Sequence, residues 1–263
     1  MLKNRLIPVL FLKNGFLVRS EGFSYHQKLG NPITQVARYN AWNVDELIYI
    51  DISRDDWYDR NRDDIGAMDN PNNLQEIIKE VSKKCFMPLA FGGRIRTLDE
   101  IKNRLSLGAD KVTINSHALE NPEFIKEASE MFGSQAIIVS IDVSINSQQK
   151  HEVMNNFGQD FTGLSPEKWA KKAERMGAGE IFLNSVKRDG LANGYDLDLI
   201  EKVNNAINIP LIACGGVGRY QDFADGLLGG KVSAVAAGNI FHFKEMSYIL
   251  AKKELHKAGL NVR

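Results

Sequence analysis

Eight short apolar runs, each followed by a longer stretch, constrain this chain more than any other feature. The runs are LIPVLF (6–11), ELIYIDI (46–52), PLAFGG (88–93), KVTIN (111–115), AIIVSID (136–142), EIFLNS (180–185), PLIACGG (210–216) and VSAVAAG (232–238). They are rich in β-branched residues and nearly continuous, the pattern of strands buried on both faces of a parallel sheet. Between them lie PNNLQEIIKEVSKK, TLDEIKNRLSLG, NPEFIKEASEMFG, SPEKWAKKAERMG, DLDLIEKVNNA and RYQDFADGLLGG. These carry helical periodicity, and several open on Ser, Thr, Asp or Asn and close on Gly, as helix caps require. Eight strand–helix units in 263 residues predict an α/β fold, a (β/α)8 TIM barrel. A doubly wound open sheet is the alternative arrangement.

No Gly-rich or low-complexity linker interrupts the chain, so residues 1–263 are expected to form one domain. Within it FGGRIRTLDEI is echoed by CGGVGRYQDF, DELIYIDIS by GEIFLNSVKRDG, and IPVLFLKNG by IVSIDVSIN. The offsets cluster near half the chain length, which predicts two half-barrels of roughly 1–130 and 131–263. The 33 basic and 33 acidic side chains balance, which gives no reason to expect bulk binding to nucleic acid or membrane. Two distant cysteines, Cys85 and Cys214, make neither a disulfide framework nor a metal pair, and a reducing cytoplasm is the natural compartment. The opening MLKNRLIPVLFLKNG has a lysine inside a short apolar run and reads as neither a signal peptide nor a membrane span. No histidine–carboxylate spacing suggests a metal site, and no cofactor is expected.

In a barrel, chemistry sits where the strands end. Gly92–Gly93 and Gly215–Gly216 lie there, each ahead of a helix, an arrangement in which free backbone N–H groups hold phosphate. The following strands end in Asn115 and Ser116, or in Gly238 and Asn239. Two such sites on opposite sides suggest a doubly phosphorylated ligand. Arg94 stands where a third glycine would keep the first loop open; it either bonds an anion, narrows the site or points to solvent. Asp142 ends the fifth strand and is either an acid–base group or a loop cap. Asp51, ending the second, is expected to support a loop. Asn184, Ser185, Asp189 and Gly190 follow the sixth strand, with Asp-Gly foremost a turn signal. Cys214 is expected to be a buried structural residue, and His117 and His242 surface or packing residues. Arg5, Glu46, Lys111 and Glu180 sit at strand starts. They are either solvated edge charges or a closed charged ring at the barrel floor.

Taken together, GADKVTIN, NPEFI, FGSQAIIVSID, GAGEIFLNS, RDG…GYD, FADGLL and IFHF resemble the cyclase subunit of imidazole glycerol phosphate synthase in order and spacing, nearly end to end. That resemblance implies a (β/α)8 barrel paired with a glutaminase at the N-terminal face of its strands. Ammonia released there passes a four-residue gate to a doubly phosphorylated ribulosyl substrate. The products are imidazole glycerol phosphate and an aminoimidazole ribotide. By position it places the ammonia gate on Arg5, Glu46, Lys111 and Glu180, and a partner contact on Asp110. Phosphate contacts fall on Gly93, Asn115, Ser116, Asp189, Gly190, Gly216, Gly238 and Asn239. Of the two catalytic aspartates it implies, one is Asp142, and Phe11 occupies the other position. Arg94 and the loop RSEGFSYHQKLGNP also depart from the family pattern.

These departures cluster on one face of the mouth while the floor residues match. The pattern resembles a side branch of cyclase-like proteins of surface-polysaccharide (lipopolysaccharide) pathways. Such proteins work with a glutaminase-like partner and an amidotransferase-like sugar-modifying protein to turn an acetamido sugar into an acetamidino sugar. That branch is the expectation drawn from Phe11. An ordinary cyclase of histidine biosynthesis and a non-catalytic scaffold that activates a glutaminase are the alternatives.

Overall fold

The computed structural model describes residues 3–54, 58 and 73–263. The chain opens with β1 (Arg5–Lys13), which runs directly into a hairpin of β2 (Phe16–Glu21) and β3 (Tyr25–Gly30). Helix α1 (Pro32–Ala41) leads back to β4 (Leu47–Asp51), followed by α2 (Leu74–Lys84), β5 (Leu89–Gly92), α3 (Leu98–Ser106) and β6 (Lys111–Ile114). Two helices, α4 (Ser116–Glu120) and α5 (Glu123–Phe132), precede β7 (Ile137–Ile145). A second hairpin comes next, with β8 (His151–Asn155) pairing antiparallel to both β7 and β9 (Asp160–Phe161). The remainder alternates: α6 (Pro166–Arg175), β10 (Glu180–Ser185), α7 (Leu197–Asn204), β11 (Leu211–Cys214), α8 (Tyr220–Gly230), β12 (Ala234–Ala237) and α9 (Ser247–Lys257).

Strands β1, β4, β5, β6, β7, β10, β11 and β12 pair in parallel in that order, and β12 returns to β1. This is a closed eight-stranded (β/α)8 barrel, so the expected fold holds and the open sheet does not. All eight expected runs become barrel strands, with no end shifted by more than three residues. Of the helix stretch PNNLQEIIKEVSKK, its first two residues lie outside the described residues; Asn73 caps α2 by accepting from the Glu76 N–H. Thr97 and Glu100 close a reciprocal capping box on α3, satisfying two orphan N–H groups at once. Among the described residues no helix is long and apolar enough to cross a membrane.

The closed sheet sorts side chains into two cores. Outward-facing Leu10, Tyr49, Phe91, Val139, Leu183 and Val235 pack beneath the helices in the larger core. Inward-facing Ile7, Val9, Phe11, Ile48, Ala90, Ile138, Phe182, Ile212, Cys214, Ala234 and Ala236 fill the barrel. A side-chain period of two then puts every second residue of each strand in the interior. On β6 and the residue after it, β7 and β10 these are Lys111, Thr113 and Asn115; Ile138, Ser140 and Asp142; Glu180, Phe182 and Asn184. The interior therefore has a polar wall on β6, β7 and β10 facing an apolar wall on β11, β12, β1, β4 and β5.

Candidate active site

The four charged residues at strand starts meet at the floor. Arg5 Nη1 donates to Glu46 Oε2 at 2.7 Å and its Nη2 to Glu180 Oε1. Lys111 Nζ donates to Glu46 Oε1 and Glu180 Oε2, each at 3.0 Å. Each carboxylate bridges both cations, so the ring is closed and neutral. Burial alone would depress the Arg5 guanidinium, but the bonds and charges of Glu180 and Glu46 outweigh it and hold it above its ordinary value. Asp110, exposed beside the ring, accepts from the Leu89 N–H at 2.8 Å. With Cys85, Phe86 and Met87 it lines a cavity of about 340 Å³ on this face, and Phe86 is almost fully exposed.

Asp142 lies on the barrel interior at the opposite end, buried. It is flanked by Asn115, just after β6, and Asn184 on β10; Asn115 Nδ2 donates to Asp142 Oδ2 at 2.7 Å, and Asn184 is its register partner. Burial pushes the Asp142 carboxyl up to about 7; the amides of Asn115 and Asn184 pull against that, while the charge of Asp189 adds to it. Asp189, buried in the turn after β10, is raised to about 6 by burial, against hydrogen bonds from the Ser20 side chain and the Phe23 backbone. Cys214 is buried, its thiol pushed up by burial first and then by the charges of Asp189 and Asp142.

At the first Gly-Gly turn, Gly93 has φ +92°, and a Cβ there would stand 2.0 Å from the Asp51 carbonyl oxygen, so no other residue fits. Gly216, at φ +103°, is held as tightly against the Gly194 carbonyl oxygen. Arg94 also has positive φ, 59°, at a cost of about 1 kcal/mol for a residue with a Cβ. Its side chain makes an ion pair that none of the three expected placements named: Nη1 lies 3.7 Å from Asp51 Oδ2. Asp51 in turn accepts from the Ser53 N–H and hydroxyl and from the Tyr58 hydroxyl, the supporting part expected of it. Ser116 is exposed at the start of α4. His117 packs edge-on against Phe124, and burial depresses His242 to about 4.

The phosphate positions of the second half are arranged differently from the first. Asn239 Oδ1 accepts from the Ser20 N–H at 3.3 Å and its Nδ2 donates to the Ser20 carbonyl at 2.7 Å. The Gly22 N–H donates to the Asp189 carbonyl at 2.9 Å, and Gly190 is pressed on the Ser20 carbonyl. The β2–β3 hairpin is thus fastened across Asp189, Gly190 and Asn239. Its tip, Phe23, touches Gly158 of the second hairpin. Phe11, at the end of the inward row of β1, lays its ring against Gly238, with Cε2 3.6 Å from where a Cβ would stand. Ser20 and Phe23 escaped the sequence reasoning. The available signal was the alternation in FLVRSE and YHQKL around a Gly, but Gly-Phe in place of Asn-Gly hid the turn, in which Gly22 and Phe23 both take positive φ. Asn239→Ala removes two bonds worth about 1 kcal/mol each. Amide exchange across residues 20–24 is expected to quicken by roughly 30-fold, and unchanged exchange would show that the hairpin is held by other contacts.

A closed parallel barrel with a buried carboxylate at the ends of its strands is the layout of a (β/α)8 enzyme. Residues 5–247 match the family described as "Histidine biosynthesis protein", and the chain belongs to that family, in its HisF-like cyclase-subunit branch. It is 35% identical over 263 residues, covering 100% of both chains, to "Imidazole glycerol phosphate synthase subunit HisF" of Alkaliphilus metalliredigens (strain QYMF).

Proposed function

We propose that this protein is the ammonia-accepting cyclase subunit of an imidazole glycerol phosphate synthase-type complex. A partner glutaminase docks on the floor around Asp110, ammonia enters through the ring of Arg5, Glu46, Lys111 and Glu180, and a phosphorylated acceptor is converted at the mouth. The observation that carries this reading is the vertical arrangement. A closed neutral ring lies at one end of a barrel whose other end holds a carboxyl raised to about 7. Such a group is half-protonated near neutral pH and suits proton transfer. Asn115 and Ser116, with Gly93, are the phosphate contacts of one side; Asp189, Gly190, Gly216, Gly238 and Asn239 are those of the other. Full-length similarity to a protein named as a HisF subunit supports the histidine-pathway acceptor over the amidation expected from Phe11.

Purified protein with an ammonium salt and the ribulosyl substrate is expected to form imidazole glycerol phosphate. Absence of turnover, with the fold intact, would sink this reading. It would leave the second one, ammonia delivery to an acetamido sugar through an amidotransferase-like partner. The observation that favours the second is Phe11 itself, an apolar ring on Gly238 where a proton-transfer group is implied. In the same assay Phe11→Asp is expected to change turnover by less than the roughly 10²–10⁴-fold that one acid–base group contributes, because Arg94 and the hairpin also differ. A gain of that full size would mean that position 11 alone limits the chemistry.

A further inference from the structure

Phe11 leaves Asp142 without an acidic neighbour on β1, yet ammonia addition moves two protons. One must reach the acceptor's carbonyl oxygen and one must leave the attacking nitrogen. We propose that Asp189 is the second proton-transfer residue of this barrel, working with Asp142 from the turn after β10. This rests on the ammonia-using reading above and gives Asp189 a proton-transfer role in place of the phosphate contact named there.

The geometry singles out Asp189. It is 7% exposed, and its Oδ2 is buried with no hydrogen-bond partner. Such an oxygen is costly unless something meets it. Asn184 Oδ1, on the β10 residue beside Asp142, is orphaned in the same way at 1% exposure. One unpaired acceptor thus lies on β10 beside Asp142 and the other in the turn that follows β10. The charged and titratable groups around Asp189 leave it available. Arg188, its chain neighbour, turns away to Asp196 and the carbonyls of Asn193 and Gly194. Glu21, against Gly190, pairs with Arg19. Cys214 is held as a thiol by burial first and then by the two acids. Among the described residues none makes an ion pair with Asp189, and its charge is felt by Asp142. Both carboxyls are raised, to about 7 and about 6, so near neutral pH one can be protonated while the other is ionised.

In the addition step the nitrogen–carbon bond forms and the carbonyl π bond breaks. Protonated Asp142 gives its proton to the oxygen, while the Asp189 carboxylate takes one from the ammonium nitrogen. The single amino-alcohol adduct is neutral, and the two acids have exchanged protonation states. Because Ser20 and Phe23 hydrogen-bond the Asp189 carboxyl, the hairpin that covers the mouth also sets the basicity of this group.

The test is the pH dependence of kcat and KM for ammonium-driven turnover of the ribulosyl substrate, in the wild type, Asp189→Asn and Asp189→Glu. Asp189→Asn is expected to lower kcat by roughly 10²–10⁴-fold with KM within a few-fold, and to erase one limb of the profile; Asp189→Glu restores part of both. A raised KM with kcat and both limbs kept would overturn the proposal, leaving Asp189 as a phosphate contact or hairpin anchor. Carboxyl ¹³C NMR of aspartate-labelled full-length protein decides the pairing independently of turnover and folding of the variants. Two elevated titrations are expected, the Asp189 signal falling in pKa in Asp142→Asn. Independent titrations overturn the pair. If the wild type shows no turnover, the functional reading fails while the NMR result still decides whether the two acids share a proton.

Discussion

Asp142→Asn is expected to lower ammonium-driven turnover by roughly 10²–10⁴-fold and at the same time to make the protein more stable above pH 7. The two effects have one cause. Burial raises the Asp142 carboxyl from 3.8 to about 7, so the fold prefers the protonated acid. Below the unfolded value the group costs nothing. Between about pH 4 and 7 the unfolded chain sheds the proton while the folded chain keeps it, and stability falls. Above 7 the full penalty remains, at most about 4 kcal/mol for a shift of this size. Asparagine carries no charge and avoids that penalty while losing the proton. Urea midpoints at pH 5 and pH 8 check it: the wild type should lose stability between them and the variant much less. Equal pH dependence in both would mean that Asp142 is not the titrating group. A site kept at a cost to stability is the usual mark of function.

At the floor the expected effect has the opposite sign. Glu180→Ala leaves Arg5 and Lys111 sharing only Glu46, with the Arg5 Nη2 and one Lys111 contact unmade. Removing one member of a buried ion network costs about 3–5 kcal/mol, mostly because a desolvated charge is left over. Urea unfolding of the variant should show that loss. Refolded under stabilising conditions and assayed with its glutaminase, it should also hydrolyse glutamine without matching product, because the gate no longer directs ammonia inward. Undiminished stability would return the four residues to solvated edge charges, and unaltered coupling would separate the ring from ammonia transfer.

The barrel was legible because each of its strands is buried on both faces, which forces continuous apolar runs such as AIIVSID and EIFLNS. Helices were legible through caps, Thr97 and Asn73 among them. The two hairpins were not. In the first, alternation is interrupted by a Gly-Phe turn, and in the second β7 simply runs on past Asp142 to pair with β8. The site was legible in part. Asp142 and the glycine turns stand at strand ends, where a barrel must do its chemistry. Asn239, read as a phosphate contact, has its amide engaged by Ser20, 219 residues away. No local pattern encodes that distance.

The sequence by itself determined the order and identity of the layers, since local periodicity reports how many faces of a segment are buried, and it marked positions 11 and 142 as unlike. Only the tertiary structure decided which charges meet. Arg5, Glu46, Lys111 and Glu180 are ordinary strand-start charges until barrel closure brings β10 beside β7 and β12 beside β1. Asp142 and Asp189 are ordinary carboxylates until burial removes the water that would have kept them ionised.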